Sequence, residues 1–319
     1  MSDATVFHVD RLDLAFASKP WAFADERRAQ IDAHFSALRQ RKPALWNGRV
    51  LLLHRQVVSD GVFRGAFLET DYASFVSWRH WGHPRAGVRD CFGVAAILSA
   101  DGAFMLGVMA DHTSRGGEIY FPCGTPDLSD IVGNTVDFDA SVARELAEET
   151  GLAVADFTPE PGWTTVVAGP MIAHLKILRS ADDAETLRAR IMTYIAAQKQ
   201  SELADIRIVR GRNDFDPAML PFVTAFLEHR LALGAPALIG LLLTGYRARW
   251  PRLWRAWRWV LALSLAVNLA WQGVTFASGD LLASPWPLLL TLFDGLALLW
   301  LLVNVRLRDC FLPEHQLAE

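Results

Sequence analysis

Residues 144–152 read Arg-Glu-Leu-Ala-Glu-Glu-Thr-Gly-Leu, and this short run constrains the chain more than any other. Glu145, Glu148 and Glu149 stand at i, i+3 and i+4, so on a helix their carboxylates crowd one arc. Asp139 upstream is a candidate helix cap, and Gly151 falls where helices end in a left-handed residue. Val142 and Leu146, with the small Ala143 and Ala147, offer one packing face. Like charges that close repel, and helix stability supplies no reason for them. A hard divalent cation supplies one, because it prefers carboxylate oxygens, water and substrate phosphate. Arg144, one turn before Glu148, is placed to orient it. An acidic pair alone more commonly marks a solvated face, so the flanking chain decides.

Upstream, residues 91–98 form a buried-strand pattern, Ala100-Asp101-Gly102 is a turn signal, and residues 103–109 are apolar again, which predicts a β-hairpin. Residues 118–124 (Glu-Ile-Tyr-Phe-Pro-Cys-Gly) run from a short strand into a Pro/Gly turn. Downstream, residues 163–178 are strand-like with an interruption at Gly169-Pro170, 184–199 have helical composition, and 205–209 form a short strand. Residues 216–231 are an amphipathic helix with Pro217 early in it. Strands and helices alternating around a buried sheet predict an α/β sandwich.

The run at 144–152 resembles the core of the Nudix box, R-E-U-x-E-E-x-G-U with U aliphatic, at all seven specified positions. The Phe121-Pro122-Cys123-Gly124 turn resembles the Phe-Pro-Gly-Gly-like turn that leads into that box, with Cys123 in place of a glycine. The full family pattern departs further upstream, where its Glu slot falls on Val136 and its Gly slot on Asp130. Gly124 lies six residues earlier than expected, so residues 125–135 read as an insertion, with Asp137, Asp127 and Asp130 as competing outer acidic residues.

The resemblance implies a Nudix-type α/β/α sandwich with a mixed sheet over residues 91–230. It implies a hydrolase that cleaves the diphosphate linkage of a nucleoside diphosphate derivative, with Mg²⁺ or Mn²⁺ held by Glu145, Glu148 and Glu149. Many members draw a further glutamate from a late loop as general base. Glu202 is the candidate by chain order, its alternative being an ordinary surface residue. The catalytic set is then Arg144, Glu145, Glu148 and Glu202.

Residues 1–90 form an N-terminal extension, with a helix predicted over 25–40 and apolar runs at 50–53 and 62–68. In some Nudix enzymes such extensions bind the non-hydrolysed half of the substrate. The Asn47-Gly48 turn and Glu69-Thr70-Asp71-Tyr72 loosely resemble members acting on UDP-sugars. Trp78, Arg79, His80 and Trp81 are candidates to stack on a base and hold a phosphate, with ordinary packing as the alternative.

Across 319 residues the net charge is −4, which gives no reason to expect a nucleic-acid partner. Cys91, Cys123 and Cys310 are too few and too scattered for a disulfide framework or a zinc site. The chain then changes character near residue 231. Residues 231–258 form a connector carrying Arg247, Arg249, Arg252, Arg255 and Arg258 among Trp250, Trp254 and Trp257. From Trp259 to Val305 the only formal charges are Asp280 and Asp294, and stretches at 260–277 and 287–305 approach the roughly 20 residues that span a bilayer. Arg306 and Arg308 follow. Arginines outside both ends predict a transmembrane hairpin in 259–319, inserted through residues 259–305, with both ends and the catalytic domain cytoplasmic. The competing reading is a buried hairpin in a homodimer. Two further function classes stay open: a catalytically silent ligand sensor coupled to a membrane partner, and a functional hairpin whose assembly the soluble part regulates.

Overall fold

A computed structural model describes residues 4–43 and 45–231. The fold begins with two strands that carry little sequence signal, because each is half-exposed: β1 (Ala4–Val9) and β2 (Arg11–Phe16). The predicted helix at 25–40 is two helices, α1 (Ala22–Glu26) and α2 (Arg28–Arg41), broken at Arg27. The two apolar runs that follow are the hairpin β3 (Arg49–Ser59) and β4 (Val62–Asp71), and α3 (Tyr72–His80) starts on an Asp71 cap that accepts from Ser74 N. The predicted hairpin at 91–109 is β5 (Asp90–Leu98) and β6 (Phe104–Met109), paired antiparallel at Ile97↔Met105. A two-residue β7 (Ile119–Tyr120) pairs with β6.

The loop at 125–135, expected as an insertion, carries regular structure. It forms a single turn of 3₁₀ helix over Leu128–Asp130 and a small ribbon of β8 (Ile131–Val132) and β9 (Thr135–Val136). Then come α4 (Phe138–Thr150), β10 (Phe157–Pro159), β11 (Trp163–Ala168), β12 (Met171–Ser180), α5 (Ala184–Ala197) and β13 (Leu203–Val209). The last helix starts at residue 221, not at 216 as the sequence predicts. Residues 212–214 form a 3₁₀ turn closed by Asp214, and Pro217 precedes the helix rather than sitting in its first turn.

The architecture is mixed α/β with two sheets, where the sequence predicts one mixed sheet. The larger sheet runs β1-β11-β12-β5-β6-β13, with β10 beside β12 and β7 beside β6; the smaller runs β3-β4-β2-β9-β8. β12 and β5 pair in parallel, as do β2 and β4. The unbroken apolar run of β3 is explained by burial on both faces. Val50 and Leu52 pack with Trp21, Ile31, Phe35 and Trp78 on one side, whereas Leu51 and Leu53 join the main core with Phe63 and Phe67 on the other. The larger sheet is likewise covered twice. Phe222 and Phe226 of the last helix meet Phe92 and Phe104 edge to face, and α4 lies over β5 so closely that a Cβ at Gly93 would sit 2.8 Å from Val142 Cγ2. Only a glycine in β5 lets α4 approach this far, and that approach sets where the glutamates of α4 stand.

By contacts the chain divides into Met1–Ala232 and Leu233–Glu319. The predicted transmembrane stretches and the connector beyond residue 231 lie outside the described residues. Among the described residues, no helix is long and apolar enough to cross a membrane.

Candidate functional site

The helix carrying the acidic run starts two residues earlier than an Asp139 cap would have it. Asp137 is the cap, its carboxylate accepting from Ala140 N at 3.0 Å, and Gly151 closes the helix at φ 71°. Asp137 is thereby committed to the helix end. Asp139 instead points outward to Lys176, at 3.3 Å.

Arg144 organises the cluster. Its guanidinium donates to both oxygens of Asp130 at 3.1 Å, to Glu145 Oε1 at 2.8 Å and to Glu148 Oε2 at 3.3 Å. Asp130 is 2% exposed and arrives from the inserted loop, where it also accepts from Asp127 N at 3.0 Å. Burial alone would weaken the hold of Arg144 on its proton, but Glu145 and Asp130 outweigh it and push its pKa up.

The glutamates divide by depth. Glu148 is at the rim, its side chain 61% exposed. Glu145 is nearly enclosed and lies against the turn after β7, so that a Cβ at Gly124 would sit 2.5 Å from its Cδ and 2.9 Å from Oε2. Glu149 is buried, and its Oε2 has no hydrogen-bond partner. Glu202 is exposed at the start of β13, where its carbonyl accepts from Ala110 N at 2.8 Å. Its charge is close enough to act on both Glu145 and Glu149. Arg144 thus joins Glu145, Glu148 and Asp130 directly, whereas Glu202 acts on Glu145 and Glu149 through its charge alone.

The electrostatics follow from that crowding. Burial raises Glu145 from its ordinary 4.5 to about 7, with Glu148 and Glu202 adding to the shift and Arg144 opposing it. Burial, then Glu145 and Glu202, raises Glu149 well above the carboxylate range. Burial, then Glu149 and Glu145, push the Cys123 thiol up, and burial raises Tyr120 too. Sequence reasoning did not single out Tyr120, Asp90 or Arg115. Asp90 is 3% exposed with Oδ1 unpartnered, and Arg115 holds Glu118 at 2.8 Å. Of the three, only Asp90 has a sequence signal, a charged residue at the border of an apolar run.

The donor set suits a hard divalent cation: it is all carboxylate oxygen, it is mutually repulsive, and it contains a buried acceptor with no partner. Among the described residues, no three His, Cys, Asp or Glu side chains already stand close enough to hold one ion. The residues fit the chemistry, with Glu145 and Glu148 held by Arg144 and Glu149 Oε2 left without a partner.

A pH dependence follows. Between about 4.5 and about 7 the folded chain keeps a proton on Glu145 that the unfolded chain has lost. Stability should therefore fall as pH rises through that window. Thermal melting in the presence of a chelator should show this fall, flattened in Glu145→Gln; an unchanged slope in the variant would contradict the assignment.

A family model described as "Protein of unknown function (DUF2919)" matches residues 224–313. Among curated proteins, the inner membrane protein YfeZ of Escherichia coli (strain K12) is 44% identical over 78 residues, which is 24% of this chain and 52% of that protein. The chain therefore spans about half the length of this curated relative. Among solved structures, RenU, a Nudix hydrolase from M. smegmatis, is 15% identical with a TM-score of 0.30, covering 46% of this chain and 84% of its own. The MutT protein from Methanosarcina mazei Go1 is 16% identical with a TM-score of 0.29, over 44% of this chain and 90% of that one. The E. coli ORF135 protein is 18% identical with a TM-score of 0.29, over 46% and 94%.

Proposed function

We propose that the chain is a Nudix-type pyrophosphohydrolase that cleaves the diphosphate linkage of a nucleoside diphosphate derivative. The observation that supports this reading is that Arg144 bonds Glu145 and Glu148 on the one helix whose sequence resembles the Nudix box, with Glu145 lying against the Gly124 turn. Glu145, Glu148 and Glu149 would hold Mg²⁺ or Mn²⁺. Such an ion, when bound, neutralises charge on the diphosphate and makes its bound water easier to deprotonate.

The chain's own residues account for the remaining steps. Arg144 fixes the orientation of Glu145 and Glu148 through its two contacts. A Glu202 carboxylate oxygen takes the proton from water as the water oxygen bonds to phosphorus. The bridging P–O bond breaks, its electron pair leaves with the departing phosphate, and two phosphate-bearing products result.

The same proposal tethers this unit at the cytoplasmic face of a membrane through residues 259–305. It is supported by the arginine-flanked apolar stretches and by the name of the curated relative. A tether raises local concentration without adding chemistry.

A catalytically silent sensor is favoured by one observation, that Arg144 already occupies both Glu145 and Glu148. The test separates the two readings. The full chain in neutral detergent is assayed against nucleoside diphosphate sugars, ADP-ribose, dinucleotides and coenzyme A, with Mg²⁺ or Mn²⁺. Metal-dependent turnover that falls about 100-fold or more in Glu148→Gln is expected. Ligand binding with no turnover in either protein would overturn the hydrolase and leave the sensor.

A further inference from the structure

A cleft of about 910 Å³ opens between β3, the loop joining α3 to β5, and the β11–β12 turn. Its size lies in the range of about 300–1,000 Å³ usual for small-molecule sites. None of the residues proposed above for hydrolysis lines it. Its charge is one-sided: the lining includes Arg55, Arg85 and Arg89, and no Asp or Glu. Among the described residues, none of these three guanidiniums makes an ion pair with a carboxylate, although the arginines around the acidic site do.

The walls are built rather than incidental. The Trp78 and Trp21 indoles donate to the carbonyls of Pro84 at 2.8 Å and Ala86 at 3.0 Å, which pins the loop from below. Within that loop His83 is held at φ 55°, a left-handed conformation that costs a side chain energy, with its ring edge-on to Trp78 at 4.6 Å. Arg89 is aimed by a 2.7 Å bond to the Gly169 carbonyl. On the opposite wall β3 breaks register between Leu53 and Arg55, a bulge that re-aims the strand where it meets the cleft. Gln56 follows, with its Oε1 buried and unpartnered. An unsatisfied buried acceptor is destabilising unless a donor reaches it.

We propose that this cleft is a second ligand site, which takes the phosphate ester of a polyol, its phosphate on Arg55, Arg85 and Arg89 and a hydroxyl on Gln56 Oε1. Unpaired guanidiniums suit a phosphate because their donors match its oxygens in a fork. Two sources share this chemistry: a soluble nucleoside or sugar phosphate, and the headgroup of an anionic glycerophospholipid. The proposal does not depend on hydrolysis at α4.

The test is calorimetric titration of the full chain in neutral detergent with three probes: AMP, dihexanoyl phosphatidylglycerol, and dihexanoyl phosphatidylcholine as a zwitterionic control. Saturable binding of AMP or of the phosphatidylglycerol is expected, weakened by added salt and weakened about tenfold or more in the double variant Arg55→Glu/Arg85→Glu. Both positions are exposed, so the fold should melt as the wild type does. Glu148→Gln should bind as the wild type, which separates this site from α4. Binding of AMP alone assigns a soluble ligand, and binding of the phosphatidylglycerol alone assigns a lipid headgroup. No binding of either anionic probe, affinity unchanged in the double variant, or equal binding of the phosphatidylcholine would overturn the proposal.

Discussion

Replacing Gly124 with alanine is expected to lower kcat/KM by about 100-fold while leaving the fold intact. The new Cβ would stand 2.5 Å from Glu145 Cδ and 2.9 Å from Oε2, so the carboxylate must move. Its displacement is cheap for folding, because the atoms met are the end of a flexible side chain, and Gly124 is not among the residues with positive φ. It is expensive for catalysis, since a shift of about 1 Å in a reacting constellation costs on the order of 100-fold. Melting temperature should change little, by the equivalent of about 1 kcal/mol or less. Full activity in Gly124→Ala would mean that Glu145 has no positional role.

The largest effect on stability is expected from Arg144→Leu. The substitution removes the only charged partner that Asp130, 2% exposed, has among the described residues, and the principal partner of Glu145 there. Breaking a buried pair by deleting one member costs about 3–5 kcal/mol. The Arg144 side chain is 29% exposed, so water screens part of the pair and the lower end, about 3 kcal/mol, applies. For a unit of this size that corresponds to a fall of about 6–12 °C in melting temperature. The cost comes from a stranded carboxylate, so adding Asp130→Asn should restore part of it. If the double variant melts no higher than Arg144→Leu, the ion pair is not the cause.

The site was legible where its signals are local. The acidic arc, the glycine stop and the apolar face of α4 lie within one helix, and periodicity reads them directly. The hairpin β5–β6 is legible for the same reason, whereas β3, β4, β11 and β12 show only as apolar or strand-like runs whose pairing the sequence does not state. Contacts made across the fold were not. Nothing in the run around Asp130 says that it will reach Arg144, because that contact depends on how the inserted loop folds onto the smaller sheet. β1 and β2 escaped detection because half their residues face water, and what holds them is pairing with β11 and β4, far along the chain. The choice of Asp137 over Asp139 as cap depends on the chain direction leaving β9, which composition does not encode. Trp78, a candidate for base stacking by sequence, is 1% exposed and packs into the helical layer instead. Glu202 is placed by chain order alone, and the fold sets it just before β13, where its carbonyl accepts from Ala110 N.

The hydrolytic reading rests on the carboxylates of α4 taking up one divalent cation together. Electron paramagnetic resonance of Mn²⁺ titrated into the full chain measures that directly, since bound ion loses the sharp signal of free Mn²⁺. The account predicts one bound Mn²⁺ per chain, lost in Glu145→Gln/Glu149→Gln and retained in Arg55→Glu/Arg85→Glu. Mn²⁺ that stays free with the wild type, or that binds equally well to the Glu145→Gln/Glu149→Gln variant, would contradict it.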